Sequence, residues 1–143
     1  MTRYSFQIVD VFGTGAFSGN PLAVVTTPEE LDHDVMLRIT RWLNFSETTF
    51  LLPPTDQNAD YRVRIFTPAR ELPFAGHPTL GTCHAWLAAG GTPRDADMVV
   101  QQCGAGLVRV RRNGAALAFA APPTIRSGPV EEDKLDEIAA VLR

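Results

Sequence analysis

The 143-residue sequence is short of several things, and each absence removes a class of function. No apolar run approaches the roughly 18 residues of a membrane-crossing helix, so no membrane partner is expected. Lys and Arg total 13 against 16 Asp and Glu, a formal net charge of -3. That balance gives no reason to expect nucleic acid or an anionic membrane surface as a partner. The two cysteines, Cys83 and Cys103, form no Cys-x-x-Cys pair, and no His/Cys ladder with metal-ligand spacing surrounds them. Two reduced thiols are expected, with a disulfide as the alternative. There is no Gly-x-Gly-x-x-Gly, no Gly-x-Ser-x-Gly, no Ser-His-Asp order and no phosphate-binding Gly-Lys-Ser/Thr. Met1 to Ser5 runs straight into a strand-like segment without a leader pattern, so a cytoplasmic location is the expectation.

What is present reads as alternating strands and helices. Residues 4–12 (YSFQIVDVF) and 22–26 are rich in β-formers. Thr27-Pro28-Glu29-Glu30 combines a cap, a first-turn proline and a capping box, which predicts a helix from there to Asn44. Leu31, Val35, Leu37, Ile39, Trp42 and Leu43 would form its apolar stripe, laid on a sheet. Strands are expected at 48–52, 60–67, 98–102 and 107–112. Asn113-Gly114 reads as a type I′ hairpin loop, with the chain returning over 115–121. His77-Pro78 opens a helix that Gly90-Gly91 closes. Its body, LGTCHAWLAA, is apolar nearly all the way round and must be enclosed. The expected fold is α+β: a mostly antiparallel, barrel-like sheet wrapped around one buried central helix. Residues 4–121 would form this unit and 122–130 a connector. Residues 131–143 would be either the start of a second unit or a terminal helix docked back.

Chemistry concentrates at two places. Glu47, in Asn44-Phe45-Ser46-Glu47-Thr48, sits between a helix end and a strand start. It is either a solvated turn carboxylate or, beside Phe45 and Phe50, a desolvated acid/base. The second place is the proline-rich loop from Phe66 to Thr79, which delivers the chain to the start of the buried helix. Free backbone N–H groups there suit a carboxylate or phosphate. Gly76 would permit close approach, and His77 can donate to a ligand or move a proton. The alternative is a capped helix start with a structural histidine. His33 is expected to be solvated, and His84 to be a core histidine, with a metal at Cys83-His84 disfavoured for want of further ligands. Asp10 reads as a turn-facing polar group or a structural hydrogen-bond acceptor.

Val9-Asp10-Val11-Phe12, Gly19-Asn20-Pro21-Leu22, Asn44-Phe45-Ser46-Glu47-Thr48, Phe66-Thr67-Pro68 and Glu71-Leu72-Pro73-Phe74-Ala75-Gly76-His77-Pro78 together resemble the PhzF-like isomerase family of phenazine biosynthesis. That family is related in fold to diaminopimelate epimerase. The resemblance runs from about residue 4 to the end of the chain. It implies two similar halves, each a barrel-like sheet around a helix, with the active site between them. It implies Glu47 as catalytic general acid/base, and His77 as a second catalytic residue that also helps hold the substrate carboxylate. Gly76, Pro78, Ser46 and Asn20 are the further substrate-binding positions. No metal, pyridoxal phosphate, nicotinamide or other cofactor is implied. The family's second half, with its own acidic residue, has no counterpart in this sequence, and the epimerase cysteine pair is replaced at 75–78 by Ala-Gly-His-Pro.

Three readings follow. The chain is one half of a cofactor-independent isomerase acting on a small carboxylate-bearing metabolite. Alternatively, it rebuilds the cleft by pairing with itself or with another half-length chain, as a dimer. Or it is a non-catalytic carboxylate-binding or assembly module.

Overall fold

The computed structural model describes residues 3–120 and 127–141. Among them, β1 (Ser5–Val11) and β2 (Asn20–Thr26) form an antiparallel pair, followed by α1 (His33–Leu43) and β3 (Thr48–Leu52). Next come β4 (Tyr61–Phe66), the two-residue β5 (Glu71–Leu72), α2 (Gly76–Ala88), β6 (Met98–Cys103), β7 (Gly106–Asn113), β8 (Ala116–Phe119) and α3 (Glu132–Val141). The strands make one sheet in the order β1-β2-β3-β4-β6-β7-β8, with β5 beside β4. β2–β3 and β4–β6 are parallel and the other pairs antiparallel, so the sheet is mostly antiparallel, as expected.

The two faces of the sheet hold separate cores. On the α2 side, Val11, Leu22, Val24, Leu51, Tyr61, Val63, Ile65, Val99 and Val110 pack with Cys83 and Ala85 of the helix. On the α1 side, Val25, Phe50, Leu52 and Phe66 pack with Met36. β3 is buried along its whole length because both of its faces are covered. In β4, Tyr61, Val63 and Ile65 point to α2, while Arg62 and Arg64 point the other way, in the alternation expected of a strand. Gly81 lets α2 come this close: a Cβ there would lie 2.5 Å from Leu22 Cδ2 and 2.7 Å from Val11 Cγ2.

The sheet curls around α2 without closing. Its end strands, β1 and β8, flank an open trough of about 720 Å³ that His84 lines together with Leu80, Ile8 and Leu117. His84 is therefore exposed and is not the core histidine expected from an all-apolar helix. The opening lies between β1 and β8, the two strands that do not meet.

Other expectations shift for local reasons. α1 begins at His33, after Asp32, and not at Pro28. Thr27 N–H instead donates to Leu51 O, continuing the sheet, and Glu30 is held by Arg62. Tertiary pairing thus outweighs the local capping signal. Trp42, assigned to the apolar stripe, is 82% exposed. The hairpin loop is Gly114-Ala115, since Asn113 pairs with Ala116. Only Gly114 of the two takes a positive φ, of 60°, the arrangement of a loop with glycine first. α2 starts at Gly76, which puts Pro78 third in the helix and not first. No described residue of α3 is buried. Residue 121, the end of the expected returning strand, residues 122–126 of the expected connector and residues 142–143 of the last helix lie outside the described residues. Among the described residues, no helix is long and apolar enough to cross a membrane.

Candidate active site

Glu47 and His77 are brought together by the ends of two elements. α1 stops at Asn44, whose left-handed conformation (φ 56°, ψ 33°) and N–H bond to Thr40 O cap the helix and turn the chain. Three residues carry it to β3, and Glu47 stands immediately before that buried strand. His77 comes from the first turn of α2. The loop that delivers it is held at successive points. Thr67 Oγ1 accepts from the N–H groups of Ala69 and Arg70, and Thr67 N–H donates to Arg70 O. Arg64 grips Glu71 through Nε and Nη2, at 2.8 and 2.7 Å. Ala105 N–H donates to Pro73 O at 3.0 Å.

His77 Nδ1 lies 3.1 Å from Glu47 Oε2, and His77 Nε2 lies 2.9 Å from the carbonyl oxygen of Asn20. The side chains are 11% and 20% exposed, so the contact is largely sheltered from water. A carbonyl oxygen only accepts, so Nε2 carries a hydrogen and donates it to Asn20. Nδ1 then faces a carboxylate oxygen, and a hydrogen between them satisfies both groups. Asn20 binds a second member of the group, as Ser46 Oγ donates to its Oδ1 at 3.3 Å.

The helix start beside this pair presents backbone donors. The first helical bond of α2 runs from Thr79 N–H to Ala75 O. Gly76 and His77 precede it, and Pro78 has no N–H. The two remaining N–H groups thus lie outside the helical ladder, at its positive end. The bare Cα of Gly76 is covered by a ring: a Cβ there would meet Phe119 Cζ at 2.8 Å. Phe119 in turn packs edge-on against Phe74, at 5.6 Å between centroids. This pairing of a β8 residue with the loop has no local signature in the sequence.

Of the expected site residues, the structure gathers Asn20, Ser46, Glu47 and His77 by direct hydrogen bonds, with Gly76 and Pro78 flanking His77 in the helix. His33 is exposed, as expected, and its Nδ1 also lies 3.2 Å from Glu71 Oε2 and 3.2 Å from Arg64 Nη2. Asp10 is a structural acceptor, taking the N–H groups of Ser18 and Gly19 at 3.2 and 2.8 Å. Cys83 and Cys103 are both free thiols. Among the described residues, no three His, Cys, Asp or Glu side chains converge in a way that could hold a metal ion.

Residues 9–141 match the family model described as phenazine biosynthesis-like protein, PhzC-PhzF. The chain is 48% identical over 115 residues to antisense-enhancing sequence 1 of Schizosaccharomyces pombe, covering 80% of this chain and 38% of that protein. It is 46% identical over 82 residues to trans-2,3-dihydro-3-hydroxyanthranilate isomerase of Pseudomonas aeruginosa, covering 57% of this chain and 29% of that enzyme. Among solved structures, a PhzC/PhzF phenazine biosynthesis protein from Clostridium difficile superposes with a TM-score of 0.74 at 26% identity, over 95% of this chain and 51% of that one. The chain therefore spans well under half the length of these two curated relatives.

Proposed function

As this chain belongs to the phenazine biosynthesis-like protein family, we propose that it carries one wall of a proton-transferring isomerase site, with Glu47 as the general acid/base. The observation that carries this reading is the 3.1 Å contact between Glu47 Oε2 and His77 Nδ1 at the start of α2. The substrate is a small carboxylate-bearing metabolite. Its carboxylate lies on the N–H groups of Gly76 and His77, where the helix dipole favours negative charge.

Glu47 takes a proton from one carbon, the electron pair left behind moves the double bond, and the carboxyl returns the proton to a second carbon. Atoms and charge balance without a further reactant, and the product is an isomer. His77 orients Glu47 and shares the proton in transit, while its Nε2 bond to Asn20 O fixes the ring. Ser46 holds the Asn20 side chain. The cleft is completed by a second half-domain, in the same polypeptide or in a partner chain.

The test pairs a native mass spectrum, which reports assembly, with turnover of trans-2,3-dihydro-3-hydroxyanthranilate by the assembled protein. Glu47→Gln is expected to lower kcat by about 100-fold or more with KM little changed. Turnover that survives Glu47→Gln overturns the assignment. Intact carboxylate binding without any turnover in the assembled wild type favours a binding module.

A further inference from the structure

We propose that Phe12 is a specificity-determining residue, an aromatic wall that selects substrates carrying a flat, unsaturated ring next to the carboxylate. This rests on the reading of Gly76 and His77 as the carboxylate site.

The first observation is strain. Phe12 follows the last residue of β1 and has φ 64°, in the left-handed region that a bulky aromatic residue rarely adopts. Such a conformation persists only where the surroundings impose it, and it is concentrated at ligand sites. Here the surroundings do impose it. Asp10, two residues earlier, accepts from Ser18 and Gly19 N–H and so draws the returning chain against the end of β1. Ser18 Oγ accepts from Thr14 and Gly15 N–H and donates to Gly15 O, which fixes the loop from inside. Gly19 leaves no freedom: a Cβ would lie 2.2 Å from Val11 O and 2.5 Å from Gly13 N.

The second observation is that the fold gains little from the ring it strains to place. Phe12 is 66% exposed, so core burial does not offset the cost. The third is position: the Phe12 ring centroid is 6.1 Å from that of His77, tilted by 40°. An exposed aromatic face beside the imidazole of a residue in the first turn of α2 fits a planar group attached to a carboxylate held at that helix start. Offset or edge-on contact with such a group is favourable, whereas an aliphatic acid gains less. Phe17, also at positive φ (60°) but 99% exposed, has no ring contact with the site and is given no role.

The experiment is an NMR titration of the 15N-labelled protein with sodium anthranilate and with sodium acetate, following the Gly76 and His77 amides. Wild type is expected to bind anthranilate more tightly than acetate. Phe12→Ala should weaken anthranilate by about 2- to 10-fold and leave acetate unchanged, and Phe12→Tyr should restore the difference. Dispersed spectra of both variants verify that the fold is kept. An unchanged anthranilate-to-acetate ratio in Phe12→Ala overturns the proposal and leaves the carboxylate site standing. Absence of any shift at Gly76 and His77 in wild type overturns the carboxylate site, and the proposal with it.

Discussion

Glu47 Oε2 and His77 Nδ1 lie 3.1 Å apart although they are 30 residues apart in the chain. The second ring nitrogen is tied to a third segment through Asn20 O. Three segments therefore have to be in place before the imidazole is oriented. His77→Ala removes the ring hydrogen bonds to Glu47 and Asn20 but keeps the backbone N–H groups assigned to the carboxylate, so anthranilate binding should change by no more than about 2-fold, while turnover by the assembled protein should fall by about 10-fold or more. Titration and turnover of the variant against wild type check this.

A buried polar chain fixes the start of α2. Tyr61 OH donates to Gln101 Oε1 at 3.0 Å, Gln101 Nε2 donates to Thr79 Oγ1 at 3.0 Å, and Thr79 OH donates to Ala75 O at 2.9 Å. Burial pushes the Tyr61 hydroxyl well above the usual range, so it remains a neutral donor. Gln101→Leu strands Tyr61 OH and should cost about 1–3 kcal/mol in urea unfolding. Faster amide exchange in the first turn of α2 is expected alongside.

Much of this arrangement was legible in the sequence where the signal is local. The alternation at Tyr61–Phe66 matches its setting, the apolar body of α2 matches on the sheet-facing side, and the motif residues Asn20, Ser46, Glu47 and His77 do meet. The failures have one physical source. Thr27 to Glu30 reads as a helix cap, but sheet pairing and Arg62 claim those residues first. His84 reads as core because every helical neighbour is apolar, yet the sheet stops short on that side. Trp42 reads as part of the stripe but faces solvent. Phe119 over Gly76 and Phe12 beside His77 depend on how distant segments return, which no periodicity encodes.

The Arg62 guanidinium beside Glu30 and the Arg64 guanidinium beside Glu71 hold both carboxyls below the ordinary carboxylate range, chiefly by hydrogen bonding. Because the folded values are depressed, their contribution is fully present above the unfolded value and is lost as pH falls through the folded one. Arg64→Met should therefore lower stability most near about pH 6.5, and the gap to wild type should narrow below about pH 4. Urea unfolding of the two proteins across that range measures it.

The two thiols should differ sharply in reactivity. Cys83 is buried against Tyr61 and Val99, and desolvation pushes its thiol up to about 11. Cys103 is partly exposed. At about pH 8, a disulfide reagent should label one thiol quickly and the second only on unfolding. Cys103→Ser should remove the fast phase. Two fast thiols in wild type would contradict the packing around α2.

The most direct test of the account follows a hydrogen through the reaction. Trans-2,3-dihydro-3-hydroxyanthranilate carrying deuterium on the carbon expected to lose its proton is offered to the assembled protein in ordinary water as a trial substrate, and any product is read by NMR. With Glu47 carrying the proton in a sheltered cleft, part of the deuterium should reappear on the second carbon, and Glu47→Gln should form product at least about 100-fold more slowly. Product formed by Glu47→Gln at the wild-type rate would contradict the account.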